Sequence, residues 1–95
     1  MRIEERRLKM AKIIENEKGF RVIEVTMTDI AFIGGMGICD WCNGGIGKKG
    51  YYVAVLNSAM CEKCYNEWYE RAVNYPEDGR VEAGNFLYMK TLLNL

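Results

Sequence analysis

Cys39-Asp40-Trp41-Cys42-Asn43-Gly44 is answered, after residues 43–60, by Cys61-Glu62-Lys63-Cys64, and the two stretches hold all four cysteines of a 95-residue chain that has no histidine. Each Cys-x-x-Cys pair spans two adjacent corners of a tetrahedron while the chain between them folds back, which is what an all-thiolate metal site needs. Cys39, Cys42, Cys61 and Cys64 are therefore expected to ligate one structural zinc ion per chain. Two disulfides or a redox pair are the alternative, and spacing alone leaves zinc and iron both open.

The two pairs sit in different local settings. Around the first, Asn43-Gly44 offers a residue tolerant of left-handed backbone directly after the second cysteine, so a turn can close with its N–H groups facing sulfur. Around the second, Tyr65, Trp68, Tyr69, Ala72 and Val73 recur at helical spacing, so Cys61 and Cys64 open a helix that Pro76 ends. Free N–H groups and the positive dipole end would there face thiolate charge. Between the pairs, Tyr51 to Leu56 reads as a strand, Asn57-Ser58 as a turn and Ala59-Met60 as a returning strand.

Outward from this unit the signals weaken. Arg2 to Glu17 is predicted as a helix, because Ile3, Met10 and Ile14 recur at helical spacing and Gly19 stops the run. Phe20 to Met27 alternates as a strand, and Thr28 to Ile33 fits either a strand extension or a helical turn. A last helix is expected from about Arg80, with Phe86, Met89 and Leu93 on one face. The expected fold class is α+β, a zinc-stabilised domain over 1–95. It divides into an N-terminal helix and strand (1–37), a zinc unit (38–75) and a C-terminal helix (76–95).

Knuckle, hairpin, then a helix carrying the second pair: over about Ile38 to Val73 this order resembles the treble-clef zinc fingers. The resemblance implies that the four cysteines are the zinc ligands. Asn43 stands where many knuckles have glycine. A zinc ribbon or rubredoxin-like iron site would instead have a second knuckle with glycine after Cys64, where Tyr65 stands. The whole chain is also similar to small uncharacterised bacterial and phage zinc-binding proteins, a resemblance that implies no activity.

Thirteen basic and thirteen acidic residues give a formal charge of zero. Four thiolates around a divalent ion would take it to about −2, so no global pull toward nucleic acid or anionic membrane is expected. The charged start Met1-Arg-Ile-Glu-Glu-Arg-Arg is not a secretory signal, and the apolar run Ile30 to Ile38 is too short to span a bilayer. These features lead to the expectation of a cytoplasmic protein with reduced thiols. A closed four-cysteine shell and the absence of histidine argue against an enzyme, and no small-molecule substrate is expected. The favoured function is a protein–protein interaction or adaptor module, with Trp41 as the exposed anchor. The alternative is a nucleic-acid-binding finger using Lys48, Lys49 and a basic face of Arg2, Arg6 and Lys9; a thiol redox protein ranks third.

Overall fold

Burial of both faces of the central strands decides the architecture of residues 11–95, which the computed structural model describes. Among them, strands β1 (Lys12–Ile14), β2 (Val22–Val25), β3 (Gly50–Val53) and β4 (Ser58–Cys61) form one antiparallel sheet in that order. Helix α1 (Met27–Phe32) follows β2, α2 (Glu62–Arg71) follows β4, and a 3₁₀ turn at Pro76–Asp78 leads into α3 (Gly79–Leu93). The described residues thus form an α+β fold with four strands and three α-helices.

Directly paired residues share a face. Val22 lies opposite Val53 and joins Tyr51, Met60 and Phe20 in a core covered by Tyr65 and Trp68 of α2. Ile23 lies opposite Tyr52 and joins Val25 and Ala54 in a second core, covered by Ile30 of α1 and Leu93 of α3. Burial on both faces explains why β3 is apolar throughout rather than alternating. It ends at Val53, earlier than expected, because Asn57 takes left-handed backbone (φ 51°) and its N–H donates to Ala54 O at 3.1 Å, turning residues 54–57.

The expected helix over 2–17 is corrected where it enters the described residues. Lys12–Ile14 is a strand, with Ile13 opposite Ile23 and Ile14 opposite Val22. Ile13 and Ile14 are β-branched and suit either state, so pairing with an adjacent apolar strand decides. The hairpin closes through Asn16, which donates from Nδ2 to Phe20 O (2.8 Å) and accepts the Phe20 N–H at 3.0 Å. Residues 2–10 of that expectation, with the face of Arg2, Arg6 and Lys9, lie outside the described residues. The open choice at Thr28–Ile33 falls to helix. Thr26 Oγ1 accepts the Asp29 N–H and Asp29 Oδ2 accepts the Thr26 N–H, a capping box that starts α1.

Two long-range clamps fix the helices. Glu82 of α3 is 3% exposed and accepts from the Arg21 N–H (2.8 Å) and Arg21 Nη1 (2.9 Å), tying α3 to the start of β2. Lys18, in the β1–β2 turn, sends its ammonium to the carbonyls of Tyr69 and, at 2.9 Å, Ala72, at the C-terminal end of α2. A cation there meets the last carbonyls of the helix and its negative dipole end. Lys18→Met keeps the apolar stem and removes the charge. It is expected to cost about 1 kcal/mol, or roughly 5 °C in thermal midpoint for a chain of this size. Thermal unfolding at low and high salt checks this, the deficit shrinking as salt screens the dipole.

No helix among the described residues is long and apolar enough to cross a membrane.

Candidate metal centre

The first cysteine pair is shaped by its own backbone. Asn43 takes φ 64°, turning the chain so that the Cys39 N–H donates to Gly44 O at 2.7 Å and the Asn43 N–H to Cys39 O at 2.9 Å. This closure aims three more N–H groups at sulfur: Trp41 and Cys42 donate to Cys39 Sγ at 3.4 and 3.5 Å, and Gly44 donates to Cys42 Sγ at 3.4 Å.

Asp40, between the two ligands, docks this loop. Its N–H donates to Ala59 O and its carboxylate accepts the Ala59 N–H, both at 2.8 Å. The loop therefore hangs on β4 two residues before Cys61. Cys61 ends β4 in extended backbone (φ −69°, ψ 166°) and is the N-cap of α2, with Cys64 in the first turn. That turn's N–H groups lack helical partners and the positive end of the helix dipole lies at the pair, but at Cys64 desolvation and the other three thiols prevail.

The outcome is a cluster. The four sulfurs all lie within 4.8 Å of one another, and Cys42 Sγ is 3.8 Å from Cys61 Sγ. A tetrahedral ion with metal–sulfur bonds of about 2.3 Å has sulfur–sulfur edges of about 3.8 Å. The donor set and its spacing thus fit one metal ion, and all four cysteines are free thiols. Cys39 is buried, Cys61 and Cys64 are half-buried and Cys42 is exposed.

Without a metal these thiols are electrically unequal. Burial pushes the Cys39 thiol up, but N–H donation from Cys61, Cys42 and Trp41 outweighs it and brings Cys39 down to about 6. Desolvation, together with S–H hydrogen bonding to Cys61, Cys42 and Cys39, pushes Cys64 up to about 12. The first negative charge is accommodated and a later one is resisted. A divalent cation at the centre removes that resistance by neutralising the crowded charge.

The four predicted ligands come together; of the other predicted residues, Trp41, Lys48 and Lys49 are described and none is a ligand. Trp41 is 46% exposed, with the Arg71 guanidinium 5.8 Å above its ring. Lys48 and Lys49 are exposed, and Lys49 Nζ lies 3.6 Å from Glu62 Oε2. Tyr51 and then Glu62 hold the Lys49 ammonium above its ordinary range. Asp40 was not among the predicted residues; its one local signal is an acid inside a Cys-x-x-Cys pair, and its partner is nineteen residues away. Comparison with protein-family models, with curated proteins and with solved structures finds no match to the chain.

Proposed function

We propose that the four cysteines hold one structural zinc ion and that the chain is a protein-interaction module built on a treble-clef-like unit. The observation that carries this reading is the sulfur cluster itself, in which a knuckle turn, the β3–β4 hairpin and the first turn of α2 each contribute in the order a treble clef requires. Four thiolates complete a tetrahedral shell and leave no position for water or substrate, so the ion braces the fold and performs no reaction. Four unpaired thiols suit a reducing compartment, for which we propose the cytoplasm.

Two features favour a protein partner over nucleic acid. Trp41 offers a large, half-exposed ring beside the metal, the side-chain type most enriched at interface hot spots. Lys49 is engaged by Glu62, which weakens its attraction for phosphate.

Elemental analysis and X-ray absorption are expected to give one zinc per chain with Zn–S distances near 2.3 Å. A metal-free protein carrying two disulfides by mass would sink this reading. Trp41→Ala is expected to leave the zinc content unchanged and to weaken capture of a partner from the native host by about 30-fold, the equivalent of a 2 kcal/mol hot spot. Lys48→Glu is expected to have little effect. Tight, steeply salt-dependent binding to random duplex DNA that Lys48→Glu abolishes would put the nucleic-acid reading first.

A further inference from the structure

The four sulfurs of the cluster are neither equally open nor equally held. Among the described residues Cys39 accepts backbone N–H groups from Trp41 at 3.4 Å, Cys42 at 3.5 Å and Cys61, while Cys42 accepts one, from Gly44 at 3.4 Å. A bound ion keeps all four sulfurs as thiolates, the form that attacks electrophiles. N–H donation to a thiolate draws off electron density and lowers its nucleophilicity along with its basicity. Hydrogen bonding and burial thus shield Cys39, and access separates exposed Cys42 from half-buried Cys61 and Cys64. Both trends leave Cys42 Sγ as the sulfur that an oxidant reaches first.

We propose that Cys42 is a peroxide-modification site which Cys61 resolves, and that the Cys42–Cys61 disulfide so formed releases the ion; this rests on the metal assignment above. Cys42 Sγ attacks one oxygen of hydrogen peroxide. The S–O bond forms, the O–O bond breaks, hydroxide leaves with its electron pair, and the sulfur is oxidised by two electrons to a sulfenic acid. Cys61 Sγ, 3.8 Å from Cys42 Sγ, then attacks the sulfenyl sulfur. The S–S bond forms, the S–O bond breaks and a second hydroxide leaves. Both hydroxides take protons from solvent, so two thiolates, one peroxide and two protons become one disulfide and two waters. Cys39 and Cys64 are then the remaining thiolates, half of a tetrahedral shell and too few to hold the ion.

The choice of Cys61 follows from what holds the knuckle. Asp40 donates its N–H to Ala59 O and accepts the Ala59 N–H, both at 2.8 Å. Neither bond passes through sulfur, so the loop stays on β4, two residues before Cys61, when Cys42 alone is oxidised. Cys61 is in extended backbone ahead of α2, whereas Cys64 lies inside its first turn. An extended residue has more side-chain rotamers open to it than a helical one, so the Cys61 sulfur swings more freely onto its neighbour. Trp41 sits between Cys39 and Cys42, so its presentation to a partner becomes sensitive to peroxide.

The test uses the full chain as purified, shown by elemental analysis to carry one ion per chain. It is treated with one equivalent of hydrogen peroxide, released metal is read with a chromogenic chelator, and the remaining thiols are alkylated under denaturing conditions. Trypsin cuts after Arg21, Lys48, Lys49, Lys63 and Arg71, so Cys39 and Cys42 fall in peptide 22–48, Cys61 in 50–63 and Cys64 in 64–71. Peptide 22–48 is expected joined to 50–63, with Cys39 and Cys64 alkylated and one ion released per bond. A limiting maleimide on the metal-loaded protein is expected to label Cys42 about tenfold faster than Cys39. A bond inside 22–48, a bond from 22–48 to 64–71, a sulfinic acid at Cys42 with no bond, labelling that begins at another cysteine, or an ion retained after the bond forms overturns the proposal and leaves the metal assignment standing. Protein isolated without metal overturns both.

Discussion

Cys64→Ser, or stripping the metal with a strong chelator at neutral pH, is expected to unfold the knuckle, the β3–β4 hairpin and the start of α2 together. The three segments converge on sulfur, and the cluster sits at the edge of the core that Cys39 shares with Met60 and Tyr65. Structural zinc contributes about 10 kcal/mol or more of apparent binding free energy, and a small domain has about 5–15 kcal/mol of stability to lose. Loss of the ion thus removes a contribution as large as the whole. Acid acts in the same direction. Metal loading displaces the proton that Cys64 otherwise keeps to about pH 12, so affinity rises with pH and falls as acid returns it. Cys39, lowered from 9.0 to about 6, stabilises the metal-free fold fully above pH 9, and that contribution is gone once the pH has fallen through 6. Release should therefore steepen as the pH falls, because each thiolate that leaves the ion takes up a proton. Circular dichroism and amide dispersion during chelation and acid titration measure this; spectra unchanged by chelation would make the ion incidental to the fold.

Trp68→Ala is expected to cost about 3–5 kcal/mol, the range for truncating a buried aromatic. Trp68 is 7% exposed and lies 4.8 Å from Phe20, 6.0 Å from Tyr65 and 6.2 Å from Tyr69 between ring centroids. It holds α2 on the sheet one turn beyond Cys64, and collapse cannot fill its volume because its neighbours are rigid rings. Urea unfolding of the metal-loaded protein gives the number, with metal content expected to stay at one ion below the transition. Trp68→Phe should recover about half the loss. A cost under about 1 kcal/mol would show that the metal alone fixes α2.

What was legible in the sequence is what is encoded locally. The Cys-x-x-Cys pairs carry their own turn and helix start, and Tyr65, Trp68 and Tyr69 declare an inward face by spacing alone. The inward face of α3 at Phe86, Met89 and Leu93 was readable in the same way. Thr26 and Asp29 form a capping box readable as Thr-x-x-Asp, which would have settled α1. Lys12–Ile14 was misassigned because Ile13 and Ile14 fit both periods and the deciding partner, Ile23, lies across a hairpin. The clamps at Asp40, Lys18 and Glu82 reach 19, 54 and 61 residues along the chain, and no local pattern announces such contacts.

The sheet runs in chain order, β1-β2-β3-β4, so each strand pairs with its predecessor. Two of the three pairings close across short turns, leaving the gap from β2 to β3, residues 26–49, as the long closure during folding. That gap contains the knuckle. Once an ion joins Cys39 and Cys42 to Cys61 and Cys64, the loop that closes β2 on the β3–β4 hairpin is residues 26–38, 13 in place of 24. Closure entropy grows only with the logarithm of loop length, so nearly halving the loop gains about 0.5 kcal/mol. The ion's hold on the fold therefore comes almost wholly from its bonds to sulfur. Lengthening residues 33–37 by several glycines should cost the assembled protein little.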